Sequence, residues 1–355
     1  MNLEMIGLTE TIKNNFEQSE ASDECLLGRV ALEHKRMYRV WTEQGELLCE
    51  VSGKFSFNAQ LREDYPAVGD WVSLKPRLAE GKGTIQAIMP RNSKFSRKSA
   101  GDKAEEQIVA ANVDTVFLVN SLNEDLNLRR LERYLLLTRE SGANPVIVLS
   151  KADLCTNVTE KAAEVEAIAF GGVPVIPISA EANEGLEKLE PFLQPGKTIA
   201  LLGSSGVGKS TLTNRLLGEE KQQVQEIRSG DDKGRHTTTH RELVLLPNGS
   251  VLIDTPGMRE LQLWESADGL SETFSDIEEL AGLCKFRDCQ HKDEPGCAVV
   301  LAIHEGTLSF ERLTSYNKLQ KELAFIERKS DKRAQAEVRK QWKNINKQIK
   351  QRSKY

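Results

Sequence analysis

No stretch of this sequence approaches the ~18 apolar residues that a membrane-spanning helix requires, so no bilayer span is expected. The opening segment from Met1 to Ser19 lacks the apolar run of a secretory leader, because Glu4, Glu10, Asn14, Asn15 and Glu17 interrupt it. A cytoplasmic protein is the expectation. Cysteine is scarce, six in 355 residues, and Cys25, Cys49 and Cys155 are scattered, which excludes a disulfide-stapled scaffold. The other three, Cys284, Cys289 and Cys297, lie close together and suit a metal. A chain of this length exceeds one ordinary core, so two or three domains are expected.

Charge of one sign is also lacking overall, at a net −5, but it is unevenly spread. Residues 329–355 hold ten Lys or Arg and two acids; taking that +8 from −5 leaves −13 on the rest. Within this tail Val338, Trp342, Ile345 and Ile349 recur at helical spacing as one narrow apolar stripe. A basic helix of this kind suits either a polyanionic partner or simple solvation.

What is present is first of all Gly203-Ser204-Ser205-Gly206-Val207-Gly208-Lys209-Ser210, the pattern G-x-x-x-x-G-K-[ST] of a phosphate-binding loop. An apolar strand (197–202) precedes it and a helix (210–217) containing Thr211 follows. Glycines let backbone N–H groups turn toward phosphate, and the helix N-terminus adds its positive end. Lys209 would reach the outer phosphates and Ser210 would ligate Mg²⁺.

Companion motifs follow the same chemistry. Asp254-Thr255-Pro256-Gly257 ends an apolar strand 44 residues after Ser210. Asp254 would hold Mg²⁺ and the Gly257 N–H would meet a γ-phosphate. In Gly234-Arg235-His236-Thr237-Thr238-Thr239-His240, Thr238, or Thr237 beside it, would cap the metal and γ-phosphate. Met258 stands where many GTPases carry a water-orienting glutamine, which leaves His236 as the nearest catalytic candidate; contact with solvent or RNA is its other reading.

Ser150-Lys151-Ala152-Asp153 resembles the guanine-reading motif Asn-Lys-x-Asp, and Ser179-Ala180 the second base-contacting loop. A carboxylate at Asp153 would accept from both N1–H and the exocyclic amine of guanine. Serine in place of asparagine at position 150 replaces only part of the amide's hydrogen bonding. These base motifs precede the phosphate loop, whereas ordinary GTPases place them after it. The order is that of a circular permutation, with a mostly parallel sheet covered on both faces.

Before this region, about five short strands between Arg29 and Ile88 suit a small closed barrel of the OB-fold type, either structural or holding nucleic acid. The basic connection after Pro90-Arg91, with Lys94, Arg97, Lys98 and Lys103, reads as a linker or a phosphate-contacting loop. After it, Cys284-x4-Cys289-x-His291-x5-Cys297 offers three thiolates and an imidazole, a closed tetrahedral set for one structural Zn²⁺.

The permuted order, the Gly-Arg-His-Thr-Thr-Thr run, Asp-Thr-Pro-Gly and Cys-Lys-Phe-Arg-Asp-Cys-Gln-His with Glu-Pro-Gly-Cys together resemble the RsgA (YjeQ) family, bacterial GTPases that depend on the small ribosomal subunit. The likeness runs roughly from Gly28 to Leu323; Ser150 and the long basic tail depart from it. It implies a multidomain α/β protein with an OB-fold barrel (25–91), a permuted GTPase domain with its linker (92–263) and a helical zinc domain (264–328), which leaves a lead-in (1–24) before them and a basic helical tail (329–355) after them. It further implies GTP and GDP as ligands, the 30S subunit and its 16S rRNA as partners in late maturation, hydrolysis stimulated by the subunit, and a monomer. The alternative is an RNA-binding zinc protein whose nucleotide is structural or regulatory.

Overall fold

Alternating apolar and polar residues build the first part of the chain into strands. In a computed structural model, which describes residues 1–19, 24–98, 106–123, 126–218, 241–254, 268–292 and 294–326, these are β1 (Leu26–His34), β2 (Met37–Thr42), β3 (Gly45–Val51), β4 (Trp71–Arg77) and β5 (Lys82–Ile88). They pair in the order β1-β2-β3-β5-β4, and a β1–β4 pairing closes the ring into a barrel. Val30, Val40, Leu47, Val72, Leu74 and Ile85 fill it. A short helix, α2 (Gly53–Asn58), follows β3; the Ser52 hydroxyl caps it by accepting from the Phe55 N–H at 3.1 Å. Val68 precedes β4 but stays outside it, because Gly69 turns there at φ +93°, where a Cβ would stand 2.1 Å from the Ala111 carbonyl oxygen.

The lead-in is helical at α1 (Glu10–Glu17), and it is anchored: Ile6 and Ile12 are fully buried. Arg29 explains the anchoring. Its buried guanidinium donates to the carbonyls of Ile6, Gly69 (3.2 Å) and Asn112 (3.0 Å) and lies 5.6 Å from the Trp71 ring centre. Burial pushes its pKa down to about 10, which leaves it charged at neutral pH. One side chain thus joins lead-in, barrel and the start of the next sheet.

Where it is described, the basic connection is strand rather than linker. β6 (Lys94–Lys98) and β7 (Glu106–Ala111) pair as an antiparallel hairpin with Phe95 buried beneath it. Lys103 lies outside the described residues.

The second sheet comprises β8 (Thr115–Ser121), β9 (Asn144–Ser150), β10 (Val175–Pro177), β11 (Thr198–Leu202), β12 (Arg241–Leu245) and β13 (Val251–Asp254). Its order is β10-β9-β8-β11-β13-β12, parallel throughout except for β12. The helices are α3 (Leu128–Ser141), α4 (Val158–Glu166) and α5 (Lys209–Leu217). Leu131 and Leu135 of α3 are buried as the spacing requires, and Gly142 ends it in the left-handed region at φ +85°. β12 also pairs with β1, Leu32 against Glu242 and Glu33 against Arg241, so barrel and sheet share hydrogen-bonded strands. Both belong to one compact unit, Met1–Gln262.

The other unit, Leu263–Tyr355, contains α6 (Asp268–Thr273), α7 (Ser275–Gly282), α8 (Ala298–His304) and a helix over residues 310–326, α9. Arg312 of α9 is buried and grips Asp276 with two bonds of 2.6 and 2.8 Å, the Thr273 carbonyl with a third at 2.9 Å, and the Phe274 ring at 4.7 Å. No helix among the described residues is long and apolar enough to cross a membrane.

Candidate nucleotide and metal sites

Ligands of open parallel sheets sit at the C-terminal ends of the strands, and there the sequence motifs meet. The phosphate loop joins β11 to α5. Gly203 packs so closely that a Cβ would lie 2.3 Å from the Val119 carbonyl oxygen, while Gly206 and Gly208 adopt φ of +78° and +93°. Val207 is fully buried and anchors the loop in the core, whereas Ser205 and Ser210 are exposed. The Lys209 ammonium lies over the loop and donates to the carbonyls of Gly203 (2.7 Å) and Ser204 (2.5 Å). Thr211 is half-buried in the first turn of α5.

β9 delivers Ser150-Lys151-Ala152-Asp153 beside this loop. Ser150 is buried; its hydroxyl stands 2.5 Å from the Val207 carbonyl oxygen and 3.3 Å from that of Asn120. A hydroxyl has one proton to give, and the shorter contact takes it. Lys151 enters the left-handed region at φ +59°, the Ala152 N–H donates to the Ile178 carbonyl at 3.0 Å, and Asp153 is exposed in the following turn. The second base loop lies next to it. Buried Ser179 accepts from the Ala182 N–H at 3.0 Å and pairs with Glu184, which folds the loop back on itself. Arg215, in the last turn of α5, donates to the carbonyls of Ala180 (2.7 Å) and Glu181 (3.1 Å).

The arrangement brings together the phosphate loop, the Lys-x-Asp turn and the Ser-Ala turn. The β13 backbone ends at Asp254, alongside β11. The Asp254 side chain, Gly257, Met258, His236, Thr237 and Thr238 lie outside the described residues. Arg215 escaped the sequence reading, since a basic residue ending a helix ordinarily serves its C-terminal carbonyls.

In the second unit the ligand atoms of Cys284, Cys289, His291 and Cys297 all lie within 4.8 Å of one another. Cys284 Sγ is 3.8 Å from Cys297 Sγ and 3.7 Å from His291 Nδ1, and Cys297 Sγ is 3.5 Å from the same nitrogen. Tetrahedral bonds of ~2.3 Å to sulfur and ~2.0 Å to nitrogen place ligand atoms roughly 3.5–3.8 Å apart, so the four residues fit Zn²⁺. Glu294, also missed in the sequence, shapes the knuckle: its carboxylate accepts from the Gln290 (3.0 Å) and Lys292 (2.8 Å) N–H groups. The Lys292 N–H, with those of Glu294 and Gln290, holds that carboxyl below its usual range.

Known proteins share this pattern. The family model described as RsgA GTPase matches residues 88–264. A second, described as 50S ribosome-binding GTPase, matches residues 198–339, where phosphate loop precedes D-x-x-G as in unpermuted GTPases. A Small ribosomal subunit biogenesis GTPase RsgA 2 of Lactiplantibacillus plantarum is 46% identical over 99% of this chain and 98% of its own. An RsgA of Opitutus terrae is 46% identical over 97% and 96%. Among solved structures, YjeQ from Thermotoga maritima matches with a TM-score of 0.63 at 30% identity, over 84% of this chain and 99% of its own. YloQ, described as a circularly permuted GTPase, matches at 0.60 and 26% identity, over 86% and 98%.

Proposed function

The chain belongs to the RsgA GTPase family, and from that premise we propose that it hydrolyses GTP in the biogenesis of the small (30S) ribosomal subunit, binding 16S rRNA and turning over faster when the subunit is bound. The observation that carries the reading is the 2.5 Å contact between the Ser150 hydroxyl and the Val207 carbonyl. It fastens the strand ending in Lys-x-Asp to the phosphate loop, so base reading and phosphate binding act as one site although the chain order is permuted.

Asp153 reads guanine, Lys151 lies along the base, and the Ala180 N–H meets the guanine carbonyl. Backbone N–H groups from Gly203 to Thr211 surround the phosphates. Phosphate oxygens compete with the Gly203 and Ser204 carbonyls for the Lys209 ammonium, which then stabilises charge developing on the transferred group. Ser210, Asp254 and Thr238 would hold Mg²⁺, which neutralises charge on the outer phosphates when bound with GTP. His236 orients the attacking water that Met258 cannot. Cys284, Cys289, His291 and Cys297 would hold one Zn²⁺, whose closed ligand set supplies folding energy and no chemistry. The working domains are the barrel (25–91), the permuted GTPase domain (92–263) and the zinc domain (264–328); the protein is taken as a cytoplasmic monomer.

The test is GTP turnover by the full chain with and without 30S subunits, alongside His236→Ala. Stimulation in the parent and its loss in the variant at unchanged GTP affinity is the expected result. A parent rate indifferent to 30S refutes the proposal; an unaltered stimulated rate in the variant refutes the role of His236.

A further inference from the structure

On the barrel, α2, the segment after it and the end of β5 line an open cavity of about 680 Å³. None of its lining residues belongs to the nucleotide or zinc sites, to β2 or β3, or to the β1–β2 and β4–β5 loops by which OB-folds usually hold oligonucleotides. Phe55 and Leu61 give it apolar walls, Asn58, Gln60 and Gln86 give it side-chain amides, and Lys54 adds a cation. Each amide both donates and accepts. Asp64 is the only acid in the wall, and its Oδ2 is turned to its own backbone, accepting from the Gln60 and Leu61 N–H groups at 2.9 and 2.8 Å. The Phe55 ring is steadied by Tyr65, 6.1 Å away and tilted by 59°, and Arg36 lies 5.4 Å from the Tyr65 ring centre. Three residues after Lys54 on the same short helix, Phe57 is 89% exposed.

A phenyl ring this exposed adds little to folding. Next to a lysine and an amide-lined hollow, it has the composition of a single-strand platform: an aromatic face for stacking, a cation for the backbone, and paired donors and acceptors for a base edge. Ala59, Ala87 and Ile88 complete the wall with apolar surface for the face of a base.

We infer that this cavity receives an unstacked nucleobase of single-stranded RNA, with Asn58, Gln60 and Gln86 meeting its edge, a neighbouring base stacked on Phe57, and Lys54 on the phosphate. The inference deepens the proposed role on the small subunit and takes the identity of the nucleic acid from it.

Fluorescein-labelled hexamers of riboadenylate and ribouridylate, titrated with the full chain at several salt concentrations, test it. GTP binding measured in parallel reports that each variant is folded. Phe57→Ala should weaken hexamer binding roughly tenfold with an unchanged salt slope, since stacking releases no counterions. Lys54→Ala should lower the slope by about one. Asn58→Ala and Gln86→Ala should shrink the difference between the two hexamers. Equal binding by all variants overturns the inference. So does a Phe57→Ala variant that loses 30S binding but keeps hexamer binding, which would give the patch to a ribosomal protein. Failure of 30S to accelerate GTP turnover in the parent strikes the proposed function instead, because the hexamer titration does not depend on it.

Discussion

Arg215 reaches from the last turn of α5 to the carbonyl oxygen of Ala180 at 2.7 Å, so the helix that begins at the phosphate loop ends by holding the second base loop. In the proposed site, one element would thereby set both the phosphate and the base ends of the nucleotide. Arg215→Ala should weaken GTP and GDP alike by about tenfold, ~1.4 kcal/mol, without changing hydrolysis at saturating GTP. Calorimetric titration checks this; unaltered affinities would show that the loop keeps its shape unaided.

Asp153→Asn should trade guanine for xanthine. An amide can donate to the xanthine carbonyl that replaces the guanine amine, while the carboxylate cannot. Competition between GTP and XTP should reverse its preference, and a variant still preferring GTP would remove Asp153 from the base site.

Zinc should be found at one per chain, and Cys289→Ser should release it and unfold the second unit, since metal binding at such sites is folding energy. Elemental analysis and near-ultraviolet dichroism give the readout. Freshly purified protein without zinc would refute the assignment despite the ligand spacing.

Stability should fall as pH rises toward neutrality through one carboxyl. Glu63, in the turn after α2, hydrogen-bonds to Glu106 of β7 and is pushed up to about 7 by that bond, by burial and by the Glu106 charge. Its unfolded value is near 4.3. A raised acid binds its proton more tightly when folded, so the stabilisation is complete below ~4.3 and lost as pH rises through about 7. Glu63→Gln keeps a donor toward Glu106 without a titrating group. Its melting temperature should be flatter than the parent's between pH 5 and 7.5; parallel curves would contradict the shared proton.

Removal of residues 331–355 should weaken 30S binding and flatten its salt dependence while GTP binding persists, if the Lys and Arg of the tail contact phosphate. These residues lie outside those the structure describes. Identical salt slopes would make the tail a solvated helix.

The sequence is most legible where chemistry needs residue types at fixed spacing. The phosphate loop, the base motifs and the Cys-His cluster are local patterns, and the barrel strands follow from alternation. The β6–β7 hairpin was hidden because Lys94, Arg97 and Lys98 give it a linker's composition and a bulge between Phe95 and Ser96 breaks its alternation. The anchoring of the lead-in rests on Arg29, twenty-three residues beyond Ile6, and no local pattern carries it. Pro174 and Pro177 shorten β10 relative to its apolar run. β12, with only Leu243 fully buried, has no strand-like signature of its own; its neighbours on both sides define it. Arg215 and the acceptor of Ser150 are tertiary facts, invisible until the strand ends are assembled.

The pairing of β1 with β12 limits how this protein can be divided. A fragment cut after the barrel would leave β12 as a bare edge with unpaired backbone groups, an invitation to pair with another copy. It would also strip the guanidinium of Arg29 from the Asn112 carbonyl. Limited proteolysis should therefore release no free barrel, and amide exchange should protect β1 and β12 to the same depth, as a single cooperative foldon spanning two architectures.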